Sequence, residues 1–295
     1  MSSRAPQSLF TLDRPGIRGA FDRASANYES AAVLQAQVND ELVDRLAFFK
    51  LEPRVVLDLG CGPGRGSIAL RKLYPQASII ALDFAPGMLR EAGRRMHEAN
   101  VHCESVCADA MRLPFADGSA DLIFSNLMLQ WCEPLRIVFA EVRRVLKPGG
   151  LFLFSTFGPD TLKELREAWS AADDGQHVNH FVDMHDVGDA VMQAGLSEPV
   201  LDLERTQLTY LDVFALMRDL KMIGAHNVAV GRARGLTPRA KLQRVERAYE
   251  KVRSNGRLPA TYEVIYGVAW GAGSSASKSR AGEVLISPGE IRRRG

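Results

Sequence analysis

Cysteine is scarce in this 295-residue sequence, and long apolar runs are missing from it. The cysteines form no C-x-x-C pair and have no histidines at zinc-binding spacing, which argues against a disulfide framework and a zinc site. No apolar run approaches the roughly 18 residues of a membrane helix, and residues 1–18 lack the apolar core of a secretory signal. We therefore expect a cytoplasmic protein with reduced thiols at Cys61, Cys103, Cys107 and Cys132.

An excess of one charge sign is also absent. The net charge of +2 argues against a nucleic acid as the main partner, and we expect no membrane contact. Hydrophobic residues make up 46% and charged residues 24%, which is typical of a folded globular domain. We predict a disordered N-terminus at residues 1–19, one domain at residues 20–270 and a disordered basic tail at residues 271–295.

Two phosphate-binding fingerprints are missing as well. The glycines at residues 60–64 read Gly-Cys-Gly-Pro-Gly, whereas the dinucleotide fingerprint needs its third glycine three positions after the second. No Gly-Lys-Ser/Thr sequence is present to hold a nucleoside triphosphate. The glycine turn therefore suits a ligand without phosphates, to which the bare backbone can come close.

The glycine turn follows a buried strand and precedes a helix. Residues 55–59 are an apolar run containing Asp58, and residues 67–73 open a helix. A second strand, residues 78–83, ends in Asp83, which lies 83 − 62 = 21 residues after Gly62, the spacing of a ribose-binding acid. This resembles motif I of the class I S-adenosylmethionine-dependent methyltransferases; the alternative is a turn merely built from glycines. The resemblance implies S-adenosylmethionine contacts at Asp58, Gly60, Gly62, Gly64 and Asp83.

Further strands and helices alternate along the chain. Strands at 101–108, 121–126 and 151–156, with helices at 86–99 and 134–146, predict a doubly wound α/β sheet whose ligand lies at the carboxyl ends of the strands. Strands at 198–208 and 258–270 would complete the seven-stranded Rossmann-like sheet of class I methyltransferases. We expect an N-terminal helix at 29–50, a cofactor-binding core at 51–156 and a helical lid at about 157–197 and 211–257.

Several side chains are placed to complete the cofactor site. Phe84 and Met88 could pack on a flat base, although Met88 could equally be core, and Asp109 suits an adenine amino group. Tyr28 and Gln35 could close over the methionine end, or could be solvated helix residues. The predicted contacts beyond the glycine turn and Asp83 are Tyr28, Gln35, Phe84, Met88, Asp109, Ala110 and Asn126.

One stretch of the lid is strongly basic. Residues 232–257 contain nine Lys or Arg and two acids, a local excess of 9 − 2 = +7. On the predicted helix at 237–253 the cations fall to one side of an apolar arc, as a surface for an acidic partner would, although a solvated face is the alternative. The cations of this surface are Arg239, Lys241, Arg244, Arg247 and Lys251.

Longer segments carry a narrower resemblance. The chain is similar over about residues 20–270 to the BioC-type malonyl-[acyl-carrier protein] O-methyltransferases of biotin synthesis, on five segments. These are Phe21-Asp22-Arg23-Ala24, Ser125-Asn126-Leu127 with Gln130-Trp131-Cys132, the stretch from Phe157-Gly158-Pro159 to Leu165, the stretch from Met217-Arg218-Asp219 to Asn227, and Leu258-Pro259-Ala260-Thr261-Tyr262-Glu263.

This resemblance implies methylation of the free carboxylate of a malonyl thioester on an acidic acyl carrier protein. Such a carboxylate is ionised at neutral pH and needs no general base. We expect a lid cation, Arg218 or Lys221, to hold it, with His226 and Trp131 lining the tunnel; ordinary helix-surface residues and a core Trp are the alternative.

Two other functions stay open at this point. The same segments resemble the complex I assembly factors of the protein-arginine hydroxylase type, which would make the protein oxidative. A catalytically silent carrier-binding module is the third possibility, against which the intact cofactor residues argue. Whether the acyl group travels on carrier protein or on coenzyme A, its chain length and the oligomeric state stay open.

Overall fold

The computed structural model describes residues 12–225 and 237–273. Seven strands form one sheet in the order β3-β2-β1-β4-β5-β7-β6. Neighbouring strands from β1 to β5 pair in parallel, and β7 pairs antiparallel with both β5 and β6. The strands are β1 Val55–Leu59, β2 Ser78–Asp83, β3 Glu104–Cys107, β4 Ala120–Ser125, β5 Leu146–Phe157, β6 Leu196–Tyr210 and β7 Leu258–Gly271.

Helices cover both faces of this sheet. They are α1 Arg14–Ala24, α2 Tyr28–Ala31, α3 Val33–Arg45, α4 Arg65–Leu73, α5 Pro86–Glu98, α6 Leu135–Val145, α7 Lys163–Ser170, α8 Met184–Gln193, α9 Val213–Met222 and α10 Arg239–Glu250. Short 3-10 turns lie at Leu46–Phe48 and Leu129–Trp131. The doubly wound, seven-stranded α/β fold is confirmed.

The period of the strands divides the core into two layers. In β1, Val56 packs into the layer with α3 and α4, and Leu57 packs into the layer with α6 and α8. Because successive side chains of a strand point to opposite faces, both layers are apolar and the central strands are buried on both sides. The carboxyl ends of β1, β2 and β4 therefore meet at one rigid edge.

The chain differs from the sequence-based expectation near its N-terminus. Helix α1 begins at Arg14, inside the stretch predicted to be disordered, because the side chain of Asp13 accepts the Gly16 N–H at 3.0 Å and Ile17 is buried. Residues 1–11 and 274–295 lie outside the described part of the chain. The helix predicted at 29–50 is broken at Ala32 into α2 and α3, and it ends in the 3-10 turn.

Two helices of the predicted lid pack in different places. Helix α10 packs against α7, and α9 packs against α2 and β6. Within the described residues, no helix combines the length and apolar character needed to cross a bilayer.

Candidate active site

A cavity opens at the carboxyl ends of the central strands, and we call it the cofactor cavity. Most of the predicted cofactor residues, together with Trp131, meet in its wall. Those that line it are Tyr28, Gly60, Gly62, Asp83, Phe84, Met88, Asp109, Ala110, Asn126 and Trp131.

The glycine turn forms the floor of this cavity. The Gly60 and Cys61 N–H groups donate to the Leu82 carbonyl at 2.8 and 2.9 Å, which fixes the turn against the end of β2. Gly62 has φ +51°, and no heavy atom lies within 4 Å of the position a Cβ would take. The turn therefore leaves open space that a bound molecule can fill, which supports a ligand lying directly over the backbone.

Asp83 ends β2 beside this turn and is only 7% exposed. Its carboxylate accepts the Gly62 N–H at 3.0 Å and the Ala85 N–H at 2.8 Å. Burial raises the pKa of Asp83 to about 6, against the lowering effect of those backbone donors. A buried carboxylate with remaining acceptor capacity is the group that a ribose diol needs.

A smaller cavity adjoins the first and shares Tyr28, Gly60, Gly62 and Asn126 with it. Asp58 and Gln35 line this part. Ser67 Oγ donates to Asp58 at 2.5 Å, and burial raises the pKa of Asp58 to about 7. A carboxylate and the tyrosine together suit the amino acid end of the ligand.

Gly64 lines neither part of the site, contrary to the prediction. It precedes α4 with φ +86°, and a Cβ there would come within 3.0 Å of the Ala92 Cβ. Its role is therefore to begin the helix in a left-handed conformation and to let α5 approach closely.

The N-terminal helix α1 covers the part of the cavity that Phe84 and Asp109 line. Phe21 packs edge-on against Trp131, with ring centroids 5.2 Å apart, and against Phe84 at 6.4 Å. The Arg14 guanidinium forms an ion pair with Asp109, whose other oxygen accepts the Met111 N–H at 2.9 Å. Sequence reasoning missed Arg14, although Asp13 followed by Pro15 is a helix-start signal that could have indicated α1.

A second cavity of about 330 Å³ lies next to the first, and Cys132 contributes to both walls. We call it the acceptor cavity. Its walls come from the turn after β4, the end of β5, residues 176–182 and α8. Gln130 Nε2 donates to the Leu127 carbonyl at 2.6 Å and its Oε1 accepts from Thr156 Oγ1 at 3.4 Å, so this amide has a defined position.

The predicted lid cations do not reach either cavity. Arg218 and Lys221 are both exposed on α9 and line neither cavity, because the buried face of α9 consists of Val213 and Leu216. His226 lies outside the described residues. Of the arginines and lysines in the described part of the chain, only Arg136 lines the acceptor cavity.

One cation of the predicted basic surface on α10 is already paired, since Lys241 forms an ion pair with Asp173. The other four, Arg239, Arg244, Arg247 and Lys251, are exposed, and Arg244 also donates to the Ala172 carbonyl at 3.0 Å.

The fold and this cavity define the class of protein, an S-adenosylmethionine-dependent methyltransferase. A model of the Methyltransferase domain family matches residues 57–154. A putative methyltransferase from Bacillus halodurans has a TM-score of 0.56 at 20% identity, covering 78% of this chain and 97% of its own. Haemonchus contortus phosphoethanolamine N-methyltransferase 2, solved with S-adenosylhomocysteine, has a TM-score of 0.51 at 18% identity, covering 85% of this chain and 58% of its own.

Sequence relatives narrow this class to one family. The malonyl-[acyl-carrier protein] O-methyltransferase of Methylovorus sp. (strain MP688) is 50% identical over 266 residues, covering 88% of this chain and 90% of its own. The enzyme of that name from Halorhodospira halophila is 44% identical over 292 residues, covering 98% and 99%. The chain belongs to the malonyl-[acyl-carrier protein] O-methyltransferase family, and S-adenosylmethionine is its co-substrate.

Proposed function

We propose that the protein methylates the free carboxylate of malonyl-[acyl-carrier protein], an early step of biotin synthesis in the cytoplasm. The observation that carries this proposal is the acceptor cavity, which meets the cofactor cavity at Cys132. The names of the relatives support the same substrate, and nothing in the comparisons supports the hydroxylase alternative.

Each end of the cofactor cavity matches one part of S-adenosylmethionine. Asp83 would accept from the ribose hydroxyls, Asp58 and Tyr28 would hold the amino acid end, and Phe84 would pack on the adenine. The co-substrate supplies a methyl group on a positively charged sulfur. The space over Gly62 lies between the ribose and amino acid ends of this arrangement.

The acceptor needs orientation more than activation. A malonyl carboxylate with a pKa near ~4 is already ionised, so its oxygen can bond to the methyl carbon as that carbon's bond to sulfur breaks, with no proton transferred. The second N–H of the Gln130 amide is a neutral donor that would hold the carboxylate without neutralising it, and the Thr156 hydroxyl orients that amide by donating to its Oε1. Arg136 supplies positive charge from the first turn of α6. These groups replace the α9 cations as the side chains that we propose hold the acceptor.

Mass spectrometry of malonyl-[acyl-carrier protein] incubated with the pure protein and S-adenosylmethionine tests the reaction. We expect a gain of one methyl group on the acyl chain. Acetyl-[acyl-carrier protein] is the matched control, because it lacks the free carboxylate and should gain nothing. Absence of methylation by a protein that still binds S-adenosylmethionine would contradict the proposal.

The basic surface of α10 is proposed to dock the acidic carrier protein. Arg239, Arg244, Arg247 and Lys251 are exposed on it, and exposed charges of one sign steer an oppositely charged partner. Charge reversal at Arg247 and Lys251 should raise KM for malonyl-[acyl-carrier protein] at least tenfold and leave malonyl-pantetheine unaffected. The exposed Lys72 on α4, changed to Glu, is the control for net charge. An equal rise in KM for both acceptors would exclude docking at this surface.

A further inference from the structure

One cation of α10, Lys241, contacts the segment that forms one wall of the acceptor cavity. The segment in question is residues 171–183, which connects α7 to α8 and which we call the wall loop. Its residues Gln176, Asn179, His180, Phe181 and Val182 line the acceptor cavity. The position of the wall loop therefore sets the shape of that cavity.

The loop has no helix or strand of its own between α7 and α8. The Ala172 and Asp173 N–H groups donate to the Trp169 carbonyl at 2.8 and 3.1 Å, and side-chain contacts hold the rest of the loop. At its far end, Phe181 packs edge-on against Phe157 of β5, with ring centroids 5.6 Å apart. In its middle, the His177 ring stacks on Trp169 of α7 at 3.7 Å with an interplanar angle of 11°. Both contacts attach the loop to the rigid core.

The near end is attached to α10. Lys241 forms an ion pair with the Asp173 carboxylate, and Arg244 donates to the carbonyl of Ala172. The same Asp173 accepts the Gly175 N–H at 2.8 Å and is joined to His177 Nε2 by a 2.7 Å hydrogen bond. One carboxylate therefore links the docking helix to the ring that stacks on Trp169.

This ion pair is more protected than an ordinary surface pair. The side chains of Lys241 and Asp173 are 27% and 20% exposed. The hydrogen bond from Lys241 lowers the pKa of Asp173 well below its usual value, with the Gly175 N–H acting in the same direction. A pair that is partly desolvated, and whose carboxylate has three partners, constrains geometry more than a solvated pair does.

We infer that Lys241 is a positioning residue for the acceptor cavity, which it shapes by holding Asp173 and the wall loop, and that it does not contact the carrier protein. This inference rests on the proposed function, because it concerns the acceptor of that reaction. Helix α10 and its C-cap then carry two kinds of cation. Arg239, Arg247 and Lys251 are exposed and available for docking, as is Arg244 apart from its hydrogen bond to Ala172, whereas Lys241 is paired with Asp173 of the wall loop. A carrier protein that docks on the exposed face of α10 would then bind to the same helix that holds the wall of the acceptor cavity.

The test compares Lys241→Met with Arg247→Met on malonyl-[acyl-carrier protein] and malonyl-pantetheine. Lys241→Met should raise KM about tenfold for both acceptors by the same factor, because a displaced wall affects any acyl group. The kcat of Lys241→Met and its affinity for S-adenosylhomocysteine should stay within about twofold of wild type, since neither Lys241 nor Asp173 lines the cofactor cavity. Arg247→Met should affect the carrier-bound acceptor alone.

A conservative variant and a partner variant separate positioning from loss of fold. Lys241→Arg keeps a cation within reach of Asp173 and should restore KM. Asp173→Asn removes the other member of the ion pair and should raise KM in the same way. The KM of the double variant Lys241→Met with Asp173→Asn should be no higher than that of either single variant. Additive defects, or a Lys241→Met defect confined to the carrier-bound acceptor, would overturn the inference.

Amide hydrogen exchange gives a measurement that does not depend on turnover. Lys241→Met should speed exchange at residues 173–181 and leave β1 and β4 protected. Unchanged exchange in the wall loop would overturn the inference even if the reaction is as proposed. If the wild-type protein methylates neither acceptor, the proposed function fails and the exchange result still decides whether Lys241 holds the loop.

Discussion

Replacing the Asp83 carboxylate with an amide should weaken ligand binding without lowering the stability of the unliganded protein. Two ribose hydroxyls donating to a carboxylate contribute about 1.5 to 3 kcal/mol each. Asp83→Ala should therefore weaken S-adenosylhomocysteine binding by about 10² to 10⁴-fold, and Asp83→Asn, which keeps one acceptor oxygen, by about tenfold.

The unliganded protein should not lose stability in the same way. Because the pKa of Asp83 is raised to about 6, its folded-state charge is unfavourable by about 3 kcal/mol at pH 8. That penalty is absent below about pH 4 and grows as the pH rises to about 6. Asp83→Asn removes the charge and with it this penalty. The Asn side chain has only one acceptor oxygen, however, so it loses the hydrogen bond from either the Gly62 or the Ala85 N–H, which costs about 1 to 3 kcal/mol. Asp83→Asn should therefore be no less stable than wild type at pH 8.

Titration calorimetry with S-adenosylhomocysteine and thermal unfolding, both at pH 8, measure the two effects. Asp189→Ala, an exposed carboxylate on α8, is the matched control for losing one acid. Wild-type affinity should also fall toward that of Asp83→Asn as the pH drops through about 6, because the carboxylate becomes protonated. Unchanged affinity of Asp83→Asn at pH 8 would refute the assignment of Asp83 to the ribose.

Two further predictions concern neighbouring groups. Burial raises the pKa of Asp58 to about 7, so the charge on this side chain destabilises the fold increasingly between about pH 4 and pH 7. Asp58→Asn should therefore raise Tm at pH 8 and have little effect on Tm at pH 4. An equal change in Tm at both pH values would contradict the buried charge. Phe21→Ala removes the edge-on contacts to Trp131 and Phe84, which contribute about 0.5 to 1.5 kcal/mol each in addition to the burial of apolar surface. This variant should weaken S-adenosylhomocysteine binding about tenfold in calorimetry. Phe48→Ala, at an exposed ring far from the site, is the control and should have no effect.

Local patterns were sufficient to predict the sheet and the cofactor edge. The apolar runs at β1, β2 and β4 predict parallel strands whose ends converge, and Gly62, Asp83 and Asn126, which lie at or just after those ends, do meet there. This works because the strand ends of a parallel sheet share one edge whatever the side chains between them. The cofactor site is therefore encoded by spacing along the chain.

The cover of the cofactor cavity and the wall of the acceptor cavity depend on contacts between residues far apart in sequence. Arg14 reaches Asp109 across 95 positions, and Lys241 reaches Asp173 across 68, since 241 − 173 = 68. No periodicity indicates such a pairing, because it depends on how α1 and α10 pack on the core. A charge count gives +7 for residues 232–257, but it does not tell an outward-facing Arg247 from a Lys241 that is already paired. The packing of α10 on α7 is what separates the exposed cations of this helix from Lys241, whose side chain is paired with Asp173.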